Sequence, residues 1–330
     1  MSSKFDTIVI LKEDYSMRLF IVVPCYNEEE VLQETSVRLK QKMTELITKH
    51  KISEKSKVVF VDDGSKDHTW EMITELHDQD TMFSGIKLSC NKGHQNALLA
   101  GLATVADLAD AVISMDADLQ DDINAVDEFV NKYKQGCDVV YGVRSSREKD
   151  TFFKRFTAEG FYKLMSFLGV DIIFNHADYR LLSSRALKGL LEFKEVNLFL
   201  RGIVPMVGYK SDVVTYERAE RFAGESKYPL KKMLSFAFEG ITSLSIKPIR
   251  LIFSLGIGIF LISIIALIYC LIRYLSDNTV SGWTSLIMSI WLLSGIQLMA
   301  IGVIGEYIGK VYLETKGRPK FIVEEFLNEK

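Results

Sequence analysis

The segment Ala111-Val-Ile-Ser-Met-Asp-Ala-Asp-Leu-Gln120 joins a short apolar run to two carboxylates that are one residue apart. The apolar part, Ala111–Met115, is typical of a buried parallel strand, and ligands of open α/β sheets bind beyond the carboxyl ends of such strands. In an extended segment, side chains two residues apart share a face, so Asp116 and Asp118 are expected to face one hard cation, with Gln120 beside them. Oxygen ligands of this kind suit Mg²⁺ or Mn²⁺. The spacing predicts a metal and phosphate site.

Apolar runs typical of strands alternate with helical patterns over the first half of the chain. The predicted strands are 18–23, 57–61, 85–88, 111–115 and 137–141. Strands that alternate with helices predict the α/β class, with a mostly parallel sheet covered by helices on both faces. Because the carboxyl ends of parallel strands meet at one edge, the loops that follow these strands are expected to hold the chemistry.

Two uncharged stretches, Leu251–Ile272 and Asn278–Gly305, follow the charged part of the chain. Each exceeds the about 18 to 20 apolar residues that a helix needs to cross a bilayer. The alternative, a pair of buried helices in a large soluble domain, is disfavoured because charge is absent over such lengths. We therefore expect a hairpin of two transmembrane helices, over 251–272 and 280–305, joined by a short polar turn.

Basic residues flank the expected hairpin on both sides. They are Lys231, Lys232, Lys247, Arg250, Lys310, Lys316, Arg318 and Lys320. The positive-inside rule therefore predicts a multi-pass protein of the cell membrane with both termini in the cytoplasm. The expected organisation is an extension (1–17), a cytoplasmic domain (18–228), a juxtamembrane amphipathic helix (229–250), the hairpin (251–305) and a cytoplasmic tail (306–330).

Several classes of protein are disfavoured by composition. A net charge of −3 is too small to indicate a nucleic-acid partner. The four cysteines lack the paired spacing of a zinc site or a disulfide framework. Neither the G-x-G-x-x-G of dinucleotide folds nor a P-loop is present. The apolar run Thr7–Leu11 is too short for a signal peptide.

Four motifs at the predicted strand ends carry a family resemblance. They are Val23-Pro-Cys-Tyr-Asn-Glu-Glu29, Val61-Asp-Asp-Gly-Ser65, Asn91-Lys-Gly93 and Met115-Asp-Ala-Asp-Leu-Gln120. In this order and spacing they resemble the family 2 glycosyltransferases of GT-A fold. Together with the C-terminal spans, they are most similar to the polyprenyl-phosphate group, which contains dolichyl-phosphate mannose synthase and bacterial undecaprenyl-phosphate glucosyltransferases. The resemblance covers about residues 18–320.

The resemblance implies a nucleotide-sugar donor at these loops. The residues that it assigns to the donor are Pro24, Tyr26, Glu28, Asp62, Gly93 and Asp116. It further implies that Asp118 and Gln120 ligate Mg²⁺ or Mn²⁺, whereas Asp116 faces the ribose or the sugar. Such a cation would neutralise charge on the departing nucleoside diphosphate.

An arginine-bearing segment, Val143-Arg-Ser-Ser-Arg147, matches the part of the family that binds the acceptor phosphate. Arg144 is the first candidate and Arg147 the second, because a guanidinium can bind phosphate through two hydrogen bonds. A solvated basic loop is the alternative. The resemblance adds Arg180 and Lys227, the latter in a loop similar to the family's mobile loop near the phosphates.

Asp178 is the third expected catalytic carboxylate, with Asp116 and Asp118. A lipid phosphate has a second pKa near about 6 and needs no general base. We therefore expect Asp178 to orient Arg180 or the acceptor region, and a structural ion pair is the alternative.

The function that the resemblance implies is metal-dependent, inverting transfer of a hexose to polyprenyl (undecaprenyl) phosphate at the cytoplasmic membrane face. UDP-glucose or a UDP-N-acetylhexosamine is the favoured donor, and a homo-oligomer is expected. A processive polysaccharide synthase is one alternative, but its Q-x-x-R-W motif is absent. A non-catalytic membrane accessory protein is another, and the intact set of Asp116, Asp118 and Gln120 argues against it.

Overall fold

The computed structural model describes residues 16–145, 176–195, 199–217, 241, 245, 247–275 and 282–328. Its helices are α1 (Glu29–Thr48), α2 (Thr69–Gln79), α3 (His94–Val105), α4 (Ala125–Lys134), α5 (Ser184–Leu191), α6 (Leu200–Met206), α7 (Lys247–Leu275) and α8 (Trp283–Lys316). Its strands are β1 (Leu19–Cys25), β2 (Lys57–Asp62), β3 (Phe83–Leu88), β4 (Ala111–Ser114), β5 (Val139–Arg144), β6 (His176–Ser183), β7 (Ser211–Tyr216) and β8 (Val323–Leu327).

The strands form a single eight-stranded sheet in the order β7-β5-β6-β4-β1-β2-β3-β8. Strands β3, β2, β1 and β4 run parallel to one another, and β5 is parallel to β7. β6 is antiparallel to β4 and β5, and β8 is antiparallel to β3. The predicted α/β class and mostly parallel sheet are confirmed, and the five predicted strands correspond to β1 through β5.

The central strand β1 shows why the sheet is covered on both faces. All seven of its residues are buried, and successive side chains enter different cores. Leu19 and Ile21 belong to the core that also contains residues of α1, α2 and α4. Phe20 and Val22 belong to the core that contains residues of α3 and α5. A strand buried on both faces is expected to be continuously apolar, as this one is.

The direction of β6, a strand that the sequence analysis did not predict, determines the geometry of the site. Because β6 lies antiparallel between β4 and β5, it begins at the edge where those two strands end. Residue 178, near the start of β6, therefore lies beside the loop that follows β4. The hydroxyl of Ser114, the last residue of β4, donates to the carbonyl oxygen of Asp178 at 2.5 Å.

The segment after residue 305, where a cytoplasmic tail is expected, contains the end of α8 and a strand of the sheet. α8 continues to Lys316 and ends at Gly317, which adopts the left-handed conformation (φ 54°). The chain then forms β8 along the edge of β3, where the hydroxyl of Ser84 donates to the carbonyl oxygen of Leu327 at 2.6 Å. Val323 and Phe326 are partly buried against the core that contains residues of α3 and α5, and this contact helps to hold the strand on the sheet.

The two long helices, α7 and α8, cover most of the two stretches where spans are expected. In the described part of the chain one segment, Leu293–Lys316, is long and apolar enough to cross a bilayer. This segment begins and ends later than the expected 280–305. Large apolar side chains are exposed on both helices: Leu251, Phe253, Leu255, Ile262 and Ile265 on α7, and Leu298, Met299, Ile301, Ile304 and Ile308 on α8. A second crossing, by α7, stays a prediction. The juxtamembrane helix expected at 229–250 lies mostly outside the described residues.

Candidate active site

The first two strand-end loops are bonded to each other. Asn27, at a φ of 54°, donates its main-chain N–H to the hydroxyl of Ser65 at 3.0 Å. Its side-chain oxygen accepts the N–H of Lys66 at 2.9 Å. These bonds fix the loop that presents Tyr26, which is exposed, and Glu28. Two of the predicted nucleoside contacts, Tyr26 and Glu28, therefore sit on a braced loop after β1, whereas the third, Pro24, is a buried residue of the strand itself.

The adjacent carboxylates Asp62 and Asp63 have different roles. Burial raises the pKa of both. Asp62, in register with Cys25, accepts the N–H of Ser65 at 3.2 Å. Asp63 accepts the N–H groups of Lys92 at 2.7 Å and Gly93 at 2.9 Å, so it holds the loop after β3. Asp62 is 1% exposed and holds its own loop through Ser65, so its contact with the nucleoside stays a prediction, whereas Asp63 joins two loops.

Position 64 requires glycine for two reasons: its backbone has a positive φ, and a side chain there would clash with a neighbouring loop. Gly64 has a φ of 66°, and a Cβ there would lie 2.8 Å from the main-chain nitrogen of Asn91. We expect Gly64→Ala to lower the free energy of unfolding by about 2 kcal/mol or more. Gly136→Ala is the matched control, because Gly136 has a φ of 86° but only open space around it, with Lys210 Nζ at 4.0 Å. Equal losses for the two variants in thermal unfolding would contradict the steric argument.

The loop after β3 leads into α3. Its first residue, His94, faces an acidic cluster formed by Asp116, Asp118 and Asp178. Gly93 caps α3 at a φ of 85°. The Nε2 atom of His94 lies 3.4 Å from Oδ1 of Asp116 and 4.0 Å from Oδ2 of Asp178. The side-chain oxygen of Gln95 accepts the N–H of Leu200 at 3.0 Å and so joins α3 to α6. The start of α3 therefore brings an imidazole to two predicted catalytic carboxylates.

The predicted metal motif is a turn, not the extended segment expected from its spacing. β4 ends at Ser114, and Leu119 has a positive φ of 57°. The N–H of Gln120 donates to Oδ1 of Asp118 at 3.2 Å, which orients that carboxylate within the turn. The hydroxyl of Thr35 in α1 donates to the carbonyl oxygen of Ala117 at 2.9 Å and holds the turn on the domain.

The cluster carries negative charge that a cation would relieve. Burial raises the pKa of Asp116, and the neighbouring carboxylates Asp178 and Asp118 add to this effect, while His94 opposes it. Among the described residues, no group of three or more His, Cys, Asp or Glu side chains is arranged to hold a metal ion. The oxygen donors of Asp118 and Gln120 fit a Mg²⁺ or Mn²⁺ that takes its other ligands from phosphate and water.

Asp178 is held between two guanidinium groups. Nη2 of Arg180 lies 2.5 Å from Oδ1, and Nη2 of Arg201 lies 2.9 Å from Oδ2. Burial opposes ionisation, but Arg201 and Arg180 outweigh it and hold the pKa of Asp178 well below its usual range. Asp178 is therefore an anion and not a proton acceptor at neutral pH. Both the orienting role of Asp178 and the structural ion pair given as its alternative stay predictions, since each requires these contacts.

Arg180 does not have the accessibility that its predicted contact with the acceptor phosphate requires. Its side chain is 2% exposed and also donates to the carbonyl oxygen of Leu200 at 3.4 Å. The reason is its position in the middle of β6, between β4 and β5. We therefore reassign Arg180 as a buried partner of Asp178. Arg201, whose side chain is 34% exposed, is the more accessible cation beside Asp178.

Arg144 lies at the end of β5, as the acceptor assignment requires. Its side chain is 26% exposed, with Nη2 at 3.5 Å from Oδ1 of Asp121. Its Nε donates to the hydroxyl of Tyr216 in β7 at 3.4 Å. Burial, with Asp116 nearby, raises the pKa of Asp121 to about 6. The other two acceptor candidates, Arg147 and Lys227, lie outside the described residues.

The sequence profile of the family described as Glycosyl transferase family 2 matches residues 20–191, from the second residue of β1 to the end of α5. This range includes the turn after β4 that carries Asp116, Asp118 and Asp121, named the acidic turn below. The chain belongs to glycosyl transferase family 2. The glycosyltransferase is 56% identical over 306 residues to the uncharacterised glycosyltransferase YkoT of Bacillus subtilis strain 168, covering 93% of this chain and 91% of that protein. It is 39% identical over 313 residues to a prophage bactoprenol glucosyl transferase homolog of Escherichia coli strain K12, covering 93% and 99%.

A solved structure with similarity to this family 2 glycosyltransferase is glucosyl-3-phosphoglycerate synthase of Mycobacterium tuberculosis in complex with Mn²⁺, UDP and glucosyl-3-phosphoglycerate. The sequence identity is 15% and the TM-score is 0.41, with coverage of 69% of this chain and 78% of that chain.

Three residues of this glycosyltransferase site were missed in the sequence analysis. They are Asp121, Arg201 and Tyr216. Asp121 directly follows the acidic motif, so its position next to Gln120 was an available signal. Arg201 and Tyr216 belong to α6 and β7, which no sequence motif predicts. Tyr216 reaches Arg144 through the pairing of β7 with β5, and Arg201 reaches Asp178 from α6.

Proposed function

We propose that this glycosyltransferase moves a hexose from a nucleoside-diphosphate sugar to a polyprenyl phosphate at the cytoplasmic face of a membrane. One observation carries the proposal. Carboxylates of the acidic turn and accessible guanidinium groups meet at one edge of the sheet, in a chain whose long helices expose apolar side chains. Such a site suits two phosphate-bearing substrates, one of which is a lipid.

The donor lies, in this proposal, across the loops that follow β1, β2 and β3. The braced loop with Tyr26 and the buried Asp62 would bind the nucleoside. The first N–H groups of α3 would face the diphosphate, because a helix N-terminus favours anions. Asp116 would face the sugar. UDP-glucose and UDP-N-acetylhexosamine are the donors that we favour.

Asp118 and Gln120 would hold a Mg²⁺ or Mn²⁺ ion between the acidic turn and the donor diphosphate. When bound, such an ion acts as a Lewis acid that stabilises the departing nucleoside diphosphate. The chain itself orients Asp118 through the N–H of Gln120 and keeps Asp178 ionised through its two arginine partners.

The transfer forms one bond and breaks one bond at the anomeric carbon. An oxygen of the acceptor phosphate attacks that carbon, and the bond to the diphosphate oxygen breaks with its electron pair leaving on the nucleoside diphosphate. Direct displacement inverts the configuration. The acceptor oxygen is already largely ionised, because a phosphate monoester has its second pKa near about 6. Arg144 and Arg201 would hold the acceptor phosphate in line, and no side chain has to remove a proton.

The position of β8 supports a pair of membrane crossings. The strand returns to the sheet after α8, so the chain before α7 and the chain after α8 would lie on the same side of a membrane that these helices enter. A single crossing would place a bilayer between them. The basic residues that flank both helices favour the cytoplasm for that side. Relatives named bactoprenol glucosyl transferase add support for a lipid acceptor.

The test is a transfer assay with the purified full-length protein in detergent. Undecaprenyl phosphate and Mg²⁺ or Mn²⁺ are supplied with radiolabelled UDP-glucose, UDP-N-acetylglucosamine or GDP-mannose in separate reactions. We expect label to enter the chloroform phase with a UDP-sugar and to depend on the lipid phosphate and the metal. Absence of a chloroform-soluble product with every donor would refute the proposal. Label in a water-soluble or insoluble polymer would indicate the processive class instead.

A further inference from the structure

Asp121 is a buried carboxylate that the transfer described above does not use. Its side chain is 1% exposed. Oδ1 accepts the hydroxyl of Tyr216 at 2.5 Å and lies 3.5 Å from Nη2 of Arg144. Within the described part of the chain, Oδ2 is buried and has no hydrogen-bond partner. A buried carboxylate with one unsatisfied oxygen is costly, so its presence calls for a compensating role.

Tyr216 is the second group that contacts the guanidinium of Arg144. Asp121 and Tyr216 together are named the bracket below. Tyr216 and Arg144 lie opposite each other in the parallel pairing of β5 and β7. The hydroxyl of Tyr216 accepts from Nε of Arg144 at 3.4 Å while it donates to Asp121. The ring of Tyr216 is itself fixed by an edge-on contact with Tyr179, with ring centroids 5.3 Å apart. The guanidinium is therefore contacted at two of its nitrogens by groups that cannot easily move.

An arginine side chain has many rotamers, and freezing it is a large part of the cost of phosphate binding. A carboxylate and a hydroxyl that hold the guanidinium beforehand reduce that cost. We infer that Asp121 and Tyr216 are positioning residues that hold Arg144 in the orientation needed to bind the acceptor phosphate. This inference rests on the proposed function.

The residues that contact Arg144 also connect the two halves of the site. Asp121 follows Gln120 directly, so the turn that would hold the metal continues into the bracket. Tyr216 and Arg144 come from β7 and β5, on the side of the sheet away from the donor loops. Because the contacts of Asp121 are with Arg144 and Tyr216, a change at Asp121 should affect acceptor binding first and donor binding little. This pattern separates the positioning role from a general structural one.

The experiment compares Asp121→Asn, Tyr216→Phe and Arg144→Gln in the full-length protein, with undecaprenyl phosphate and the active donor as the two varied substrates. Asp121→Asn is expected to raise KM for the lipid phosphate about tenfold and to change KM for the donor less than about twofold. Tyr216→Phe should raise the acceptor KM by about threefold. In the Arg144→Gln background, Asp121→Asn should add less than about twofold, because it acts through Arg144.

Asp122→Asn is the matched control, since Asp122 is the next carboxylate of the same loop and contacts Asn124 at 2.9 Å instead of the bracket. We expect it to leave both KM values near those of the wild type. Full additivity of Asp121→Asn and Arg144→Gln, or an effect on the donor KM alone, would overturn the inference while the proposed function stands. Should Asp121→Asn fail to fold in a thermal unfolding assay, Tyr216→Phe decides. A wild type that makes no lipid product with any donor removes the proposed function and this inference with it.

Discussion

Asp178→Asn is expected to lower the free energy of unfolding by about 3 kcal/mol. The variant leaves the guanidinium of Arg180, which is almost completely buried, without its carboxylate partner at 2.5 Å. Removing one partner of a buried ion pair is costly because the remaining charge stays away from water. For a domain of this size the loss corresponds to a fall in Tm of roughly 6 to 12 °C. Thermal unfolding of the detergent-solubilised protein measures it.

The control is Asp212→Asn, which removes the partner of Lys132 at 2.6 Å from a much more exposed pair. Surface pairs contribute about 1 kcal/mol or less, so this variant should change Tm little. Equal effects of the two variants would contradict the structural role of Asp178.

The stabilisation of the fold by the ion pairs of Asp178 is expected to weaken in acid. The folded-state pKa of Asp178 lies well below its usual range, because Arg201 and Arg180 outweigh the effect of burial. Its contribution to stability is therefore full above the unfolded-state pKa of about 3.9 and declines as the pH falls below that value toward the folded-state pKa. The stability difference between wild type and Asp178→Asn should shrink accordingly in acid.

Asp118→Asn is expected to slow formation of the lipid-linked sugar by about 100-fold to 1000-fold. The substitution keeps the size of the side chain, but it removes the negative charge that a hard cation needs. The variant should also bind Mn²⁺ more weakly in the presence of UDP, as measured from the EPR signal of free Mn²⁺. This second readout does not depend on turnover.

Asp107→Asn serves as the control for Asp118, because the side chain of Asp107 is 84% exposed and pairs with Lys188 on the surface. Its rate and its Mn²⁺ affinity should match those of the wild type. A rate for Asp118→Asn within a few fold of wild type would exclude this carboxylate as a metal ligand.

The parallel core could be predicted from the sequence because β1 through β4 are apolar runs followed by polar loops. The same order of strand and loop predicted that Asp62, Asp116 and Asp118 would lie at the carboxyl edge of the sheet, where β2 and β4 end. β6 and β8 could not be found in this way, since neither takes part in the strand-helix alternation and each pairs with a strand distant in sequence. Their antiparallel pairing depends on contacts between segments that are far apart in the sequence.

For single residues of the site, too, the sequence predicted position along a strand but not burial. Arg144 lies at a strand end, and its position followed from the motif. Arg180 is separated from Asp178 by one residue, and its position in the strand buried between β4 and β5 decides that it is inaccessible. Sequence spacing alone does not report which strands lie on either side. Arg201, 23 residues beyond Asp178, reaches it only because α6 packs at the same edge.

The return of the chain to the sheet at β8 determines how the proposed membrane anchor is connected to the rest of the enzyme. Because β8 is part of the sheet, α7 and α8 are an insertion within the catalytic domain and not an appendage after it. A chain that stopped before Lys247 would leave the edge of β3 without its partner strand, and unpaired edges promote aggregation. A water-soluble form of the enzyme therefore calls for replacing 247–316 with a flexible linker, so that the closing strand is retained.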